Sequence, residues 1–241
     1  NYAKIIRASD GLELHKAHDL NKDQSYFLYT LNQAQLEQAI FPLADMHKPE
    51  VRALANQIGL PNSKKKDSTG ICFIGERKFK DFLKEFILAK PGDINTDTGQ
   101  KIGQHDGLMY YTLGQRKGLN IGGIKNAPEA PWYVIEKDLT TNTLVVGQNH
   151  QHPKLLSKTL DCNHIHWVGT PPTLPLRCSA KTRYRQKDMS CEIRQGHLDE
   201  LIVQFDQPQW AVTPGQAIVF YDQTQCLGGA TITGSTTIRC L

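Results

Sequence analysis

Cys72 is the side chain whose neighbours best suit it to covalent chemistry. It follows Lys64-Lys65-Lys66 and sits among Asp67, Ser68, Thr69 and Gly70. Cations near a thiol stabilise the thiolate, the form that attacks electrophiles and carries sulfur. The competing role is a hydrophobic plug, because Ile71, Phe73 and Ile74 flank it and buried thiols are usually inert. The other cysteines, Cys162, Cys178, Cys191, Cys226 and Cys240, are scattered with no CxxC pair, which fits neither a zinc ribbon nor a dense disulfide framework and leaves most of the six as buried thiols. Cys162, His164 and His166 alternate, so a strand would put all three on one face. Tetrahedral sites draw ligands from separated segments and no fourth ligand is indicated, so these groups read as packing and hydrogen-bonding partners beside Trp167, not as a metal site.

Other segments have side chains suited to RNA. If residues 177–185 form one strand, Arg177, Lys181, Arg183 and Arg185 share a face opposite Cys178, Ala180 and Thr182. Four like charges on a short strand repel one another without a partner, so a polyanion fits this face, with Tyr184 available to stack on a base. The alternative is an ordinary solvated face. Lys22-Asp23-Gln24 sets a cation, an anion and an amide before Ser25-Tyr26-Phe27, which suits either a base edge with its phosphate or a cap on a helix starting near Asp23. Gly114-Gln115-Arg116-Lys117-Gly118, followed by Gly122-Gly123, has neither Walker spacing nor a dinucleotide fingerprint, so an RNA-facing turn and a tight structural turn both stand.

The elements that must position these groups follow from periodicity. Residues 1–7 alternate like a strand and run into a turn at Ser9-Asp10-Gly11. With no lead-in before that strand, Asn1 reads as a cut edge. Val51, Leu54, Ala55 and Ile58 fall at helical spacing between Pro49 and Gly59, and Phe79, Phe82, Leu83, Phe86 and Ile87 predict a second helix over residues 76–88, stopped by Pro91-Gly92. The Cys72 segment lies between them as a loop. Turn formers at Asp97-Thr98-Gly99 and His105-Asp106-Gly107 point to a small irregular linking domain up to Pro131. After it, short strands at 132–135, 144–146, 201–205 and 217–221 favour a small barrel.

A formal charge of +4 is modest and does not by itself require a polyanionic partner. No run of about eighteen apolar residues and no basic-apolar-small leader occurs, so the expected setting is the cytoplasm, without a membrane partner.

Four stretches together resemble the bacterial tRNA-specific 2-thiouridylase family. They are Lys22-Asp23-Gln24-Ser25-Tyr26-Phe27-Leu28, then Lys65-Lys66-Asp67-Ser68-Thr69-Gly70-Ile71-Cys72-Phe73-Ile74-Gly75, then Gly107-Leu108-Met109-Tyr110-Tyr111-Thr112-Leu113-Gly114-Gln115-Arg116-Lys117-Gly118, and finally Lys181-Thr182-Arg183-Tyr184-Arg185-Gln186. They run in order along essentially the whole chain. The resemblance implies an α+β, multidomain protein: residues 1–78 the terminal part of an adenine nucleotide hydrolase-like α/β domain with a helical tRNA-binding insertion, 79–131 a small central linking domain, and 132–241 a C-terminal antiparallel β-barrel.

The resemblance also implies an activity: ATP-dependent transfer of persulfide sulfur to C2 of the wobble uridine of glutamate, glutamine and lysine tRNAs, with sulfur delivered by an upstream persulfide carrier protein. Cys72 matches the persulfide cysteine, Lys22, Asp23 and Gln24 match a tRNA-contacting triplet, and Arg183, Tyr184 and Arg185 match a tRNA-contacting part of the barrel. Two family features are missing from this sequence, the Ser-Gly-Gly-Val-Asp-Ser-type pyrophosphatase loop and the earlier cysteine that forms a disulfide with the persulfide cysteine. The expectation is therefore an incomplete portion of the enzyme. ATP with Mg belongs to the full-length protein, none is expected bound to this chain, and the chain alone is expected to be inactive. The competing class is a non-enzymatic RNA-binding module in which Cys72 is structural.

Overall fold

The computed structural model describes residues 1–65, 85–121, 128 and 130–237. Cys72, most of the helix expected over 76–88, Gly122-Gly123 and Cys240 lie outside the described residues. The chain divides into two compact units, Asn1–Lys65 with Lys158–Pro208 and Pro214–Thr236, and Lys66–Ser157 with Gln209–Thr213 and Thr237–Leu241.

In the first unit, β1 (Lys4–Ala8) and β2 (Gly11–His15) form an antiparallel hairpin in the register Lys4↔His15 to Ala8↔Gly11. Its turn is the expected Ser9-Asp10, closed by Gly11 at a positive φ of 140° that suits glycine. Six further strands are β7 (Leu156–Trp167), β8 (Leu176–Lys181), β9 (Met189–Gln195), β10 (Leu201–Trp210), β11 (Ala217–Asp222) and β12 (Gln225–Thr237). They follow the order β12-β11-β8-β9-β10-β7, and β7 pairs back to β12, closing a six-stranded antiparallel barrel; the hairpin joins through β2 to β12. Closure leaves the barrel strands with no free edge.

The strand period of two explains the core. Along β10, Leu201, Val203 and Phe205 are buried while Ile202 and Gln204 point outward. On β11 both faces are covered: Ile218 and Phe220 are fully buried, and Val219 and Tyr221 pack in a second cluster with Ala3, Leu14, Tyr26, Leu36, Val168 and Cys226. That cluster seats two short helices, α1 (Ser25–Leu28) and α2 (Gln33–Glu37), the latter started by a capping box between Asn32 and Gln35. The helix α3 (Lys48–Gln57) starts at a His47–Glu50 capping box with Pro49 in its first turn and stops before Gly59, as its punctuation predicts. Its apolar stripe is not a core stripe, however, because Leu54 and Ile58 are both exposed.

The second unit holds a four-stranded sheet of β3 (Gly92–Thr96), β4 (Lys101–His105), β5 (Trp132–Asp138) and β6 (Thr143–Gln148), in the order β4-β3-β6-β5. The strands at 132–135 and 144–146 are therefore real, but they do not belong to the barrel, where a boundary at 131/132 had placed them. β6 pairs in parallel with β3, Ile94 opposite Leu144, so that Ile94, Val134, Leu144 and Val146 share a core with Leu108, Tyr111 and Leu119. Short-strand spacing cannot tell which sheet a strand joins; this pairing spans the whole intervening segment.

The glycine turn at 114–118 is structural. Gly114 has φ +78°, and a Cβ there would lie 2.4 Å from the Trp210 ring. The Gln115 side chain accepts from Thr112 N and donates to the Lys117 carbonyl. No helix among the described residues is long and apolar enough to cross a membrane.

Candidate nucleic-acid interface

The segment expected to be one basic strand is not. β8 ends at Lys181, and residues 182–188 form the turn into β9, tightened by Gln186, whose Oε1 accepts from both the backbone N and the Oγ1 of Thr182 at 2.9 and 2.8 Å. The four-cation face therefore does not form. Arg177 is held by a bidentate pair with Asp206, at 2.9 and 2.8 Å, and this carboxylate keeps its guanidinium pKa raised. Lys181 is buried and lies 3.4 Å from Asp188. Arg183, Tyr184 and Arg185 are carried on the turn instead, where consecutive side chains need not alternate between faces.

The turn is tied down by charge. Lys16, buried after β2, bonds the Asp188 carboxylate and the Gln223 carbonyl and lies 4.2 Å from the Tyr221 ring centroid; Lys181 approaches the same ring at 5.3 Å. Two ammonium groups thus share one carboxylate over one aromatic face, which lets them be buried. The Tyr221 hydroxyl meets Ser25 Oγ at 3.1 Å, and Ser25 Oγ donates to Asp23 Oδ2 at 2.8 Å. Burial pushes the Tyr221 hydroxyl pKa upward.

Asp23 is 4% exposed, and its carboxylate also accepts from Ala17 N at 3.1 Å and Ser25 N at 3.2 Å. It shapes the loop ahead of α1, while the N-cap position itself is Gln24, which makes no side-chain cap. Gln24 pairs with Tyr2, accepting from its backbone N through Oε1 at 2.9 Å and donating its own N–H to the Tyr2 carbonyl at 2.7 Å. Lys22 is half-buried beside them.

These two regions, far apart in sequence, meet. A cleft of about 270 Å³ is lined by Leu20, Asn21 and Asp23 from the first loop and by Lys181, Tyr184, Arg185 and Gln186 from the β8–β9 turn. The Tyr184 ring lies 4.4 Å from the ring of Phe27 on α1 and 6.2 Å from that of Tyr26. Its hydroxyl pKa is raised first by burial and then by the Asp23 carboxylate, with Arg185 and Lys22 acting against both. Burial lowers the Arg183 pKa, opposed by Tyr26. The result is a polar notch with an aromatic wall and cations at its edge. Such a notch can grip a ribose-phosphate and offer a ring to a base.

Sequence reasoning found the two ends of this arrangement and missed Lys16, Asp188 and Tyr221. Each carries no local signal; their roles appear only once the barrel closes. His166 Nε2 donates to the Leu31 carbonyl at 3.2 Å, in keeping with a hydrogen-bonding role. No group of three His, Cys, Asp or Glu fit for a metal ion occurs among the described residues. Cys162, Cys178, Cys191 and Cys226 are all free thiols, and the family's disulfide would involve Cys72, which lies outside the described residues.

Comparison with known proteins covers the chain in three blocks. Residues 1–76 match the family described as tRNA methyl transferase HUP domain, 80–148 the tRNA methyl transferase PRC-barrel domain, and 157–232 the aminomethyltransferase beta-barrel domain. Curated relatives named tRNA-specific 2-thiouridylase MnmA include those of Nitrosococcus oceani, 56% identical over 234 residues, Legionella pneumophila, 56% over 234, and Coxiella burnetii, 54% over 233. These alignments cover 97%, 96% and 96% of this chain and 64% of each relative, so the chain spans a little under two thirds of their length. An identity of 54–56% held along nearly the whole chain, across all three blocks in order, places this chain in the tRNA-specific 2-thiouridylase family.

Proposed function

We propose that the protein is a tRNA 2-thiouridylase, a sulfurtransferase that moves persulfide sulfur to C2 of the wobble uridine, and that this chain supplies the RNA grip and the sulfur-carrying thiol. The observation that carries the reading is the 54–56% identity, along 96–97% of the chain, to proteins named for that activity. The meeting of the Lys22-Asp23-Gln24 loop with the Arg183-Tyr184-Arg185 turn supports it, because it gathers both family tRNA-contact segments at one cleft.

In this reading Arg183 and Arg185 neutralise backbone phosphate, Tyr184 offers its ring, Lys22 adds a cation, and Asp23 and Gln24 fix the loop that presents them. Cys72 carries the sulfur. Its lysine neighbours favour the thiolate needed to accept sulfur from the carrier protein's persulfide. The C2 oxygen of uridine is a poor leaving group until it is activated, a task assigned here to ATP and Mg in the whole protein. Glutamate, glutamine and lysine tRNAs are the proposed substrates and the cytoplasm the proposed setting.

The test is Cys72→Ala in the whole protein: tRNA thiolation is lost while tRNA affinity is kept. Retained thiolation would remove Cys72 from its role and favour the RNA-binding module. Persulfide loading of Cys72 in the 241-residue chain, measured beside 2-thiouridine formation, separates sulfur acceptance from transfer; the chain alone is expected to do the first and not the second.

A further inference from the structure

We propose that Cys178 and Cys191 form a reversible, oxidant-sensitive dithiol that bridges β8 and β9. The two residues stand directly opposite in the antiparallel register, and their sulfurs are 3.8 Å apart. Directly opposed residues of antiparallel strands have Cα atoms about 4.5–5.5 Å apart, inside the span of about 4.4–6.8 Å that a disulfide bridges. Side-chain rotation therefore closes the remaining gap without moving the strands apart. The hydrophobic-core role of a buried cysteine does not require a second cysteine across the ladder, and among the described residues neither Cys162 nor Cys226 meets another thiol.

The pair is graded in access. Cys191 is fully buried and Cys178 half-buried, so an oxidant reaches Cys178 first. The hydrogen bond with Cys178, followed by burial, holds the Cys191 thiol protonated to higher pH, which disfavours it as the thiol that meets the oxidant first. With hydrogen peroxide, the Cys178 sulfur attacks one peroxide oxygen, breaking the O–O bond and giving the sulfenic acid and one water. The Cys191 sulfur then attacks that sulfenic sulfur and releases a second water as the S–S bond forms. Two thiols are oxidised and one peroxide is reduced, with protons balanced. A small-molecule thiol reverses the bridge by exchange, itself becoming a disulfide.

The bridge would close a ring around residues 182–188, the turn that holds Arg183, Tyr184 and Arg185. Its formation does not depend on any role of that turn in RNA binding.

The experiment treats the 241-residue chain with hydrogen peroxide, blocks free thiols, digests with trypsin and analyses peptides by mass. Cleavage after Arg177, Lys181, Lys187 and Arg194 frees residues 178–181 and 188–194 as separate peptides. The expected product joins them, lighter by two hydrogens than their sum, and falls apart on addition of dithiothreitol. Cys178→Ala and Cys191→Ala each abolish it; should the buried position fail to tolerate alanine, the half-buried one still supplies the control. In the oxidised chain, amide hydrogen exchange over 182–188 slows. Independent alkylation of both thiols after peroxide, oxidation of Cys178 to sulfinic acid beside an intact Cys191 thiol, or a bridge from either to another cysteine would each overturn the proposal.

Discussion

Asp23 has its polar surface committed to the fold: three hydrogen bonds converge on a carboxylate that is 4% exposed. Removing it strands two backbone donors and one hydroxyl, so Asp23→Ala is expected to cost roughly 2–3 kcal/mol. Asp23→Asn keeps an acceptor for the two amides and a donor for Ser25 Oγ, and is expected to cost under about 1 kcal/mol. Urea unfolding of the two variants checks this, and equal losses would mean that the negative charge, not the bonding pattern, is what the loop needs. The sequence held both readings of this residue, a base reader and a cap. It could not choose, because the choice depends on Tyr221 and Ala17: Tyr221 reaches Asp23 only through Ser25 and the closed barrel, and Ala17 lies across the loop.

At the scale of elements, the difference between a strand and a turn decides which cations are available to RNA. A nine-residue strand was legible in the alternation of 177–185, and its first part is β8, but the chain turns at Thr182 because Gln186 reaches back to bond it. Such a side-chain-to-backbone bond leaves no periodic trace. Arg177 is thereby separated from Arg183 and Arg185 and satisfied by Asp206. Replacing Arg183 and Arg185 together with alanine is expected to weaken tRNA binding and to flatten the dependence of log affinity on log salt by about 1.5, at roughly 0.7–0.9 for each phosphate that the variant no longer neutralises. Arg177→Ala should leave that slope unchanged. A filter-binding series across salt concentrations distinguishes them, and a drop for Arg177→Ala equal to that of the pair would restore the continuous basic strand. The hairpin, the start and stop of α3 and the strands at 201–205 and 217–221 were readable because caps, turns and alternation are local. The assignment of β5 and β6 to the four-stranded sheet was not, because a parallel pairing with β3 is set by distant sequence.

At the scale of the whole molecule, the two compact units differ in the acids they bury, and that difference is testable with alkali. Burial pushes Tyr26 up to about 12 from 10.0, and Cys162 and Cys226 up to about 12 from 9.0. Tyr221 is raised in the same direction by burial, and Cys191 by its bond to Cys178 and then by burial. All five belong to the unit that contains the barrel. A folded pKa above the unfolded value means that folding favours the protonated form. The contribution of these groups is therefore fully present below the unfolded values of 9.0 and 10.0, and is lost as pH rises through the folded values near 12. In the other unit the described group with a resolved shift in this range is Lys137, whose pKa is lowered by burial, so its contribution grows as pH rises past its folded value. The barrel unit is thus expected to lose stability over about pH 9–12 before the four-stranded sheet does, and unfolding there departs from a single two-state transition. Trp167 lies in the barrel unit, and Trp132 and Trp210 in the other. Variants that keep one tryptophan each, unfolded in urea across that pH range, report the units separately. The midpoint read by Trp167 should fall while that read by Trp132, on β5, holds, and Tyr26→Phe should shallow the fall. Coincident midpoints at every pH would mean that the chain unfolds as one cooperative body and that its buried acids are shared by both units.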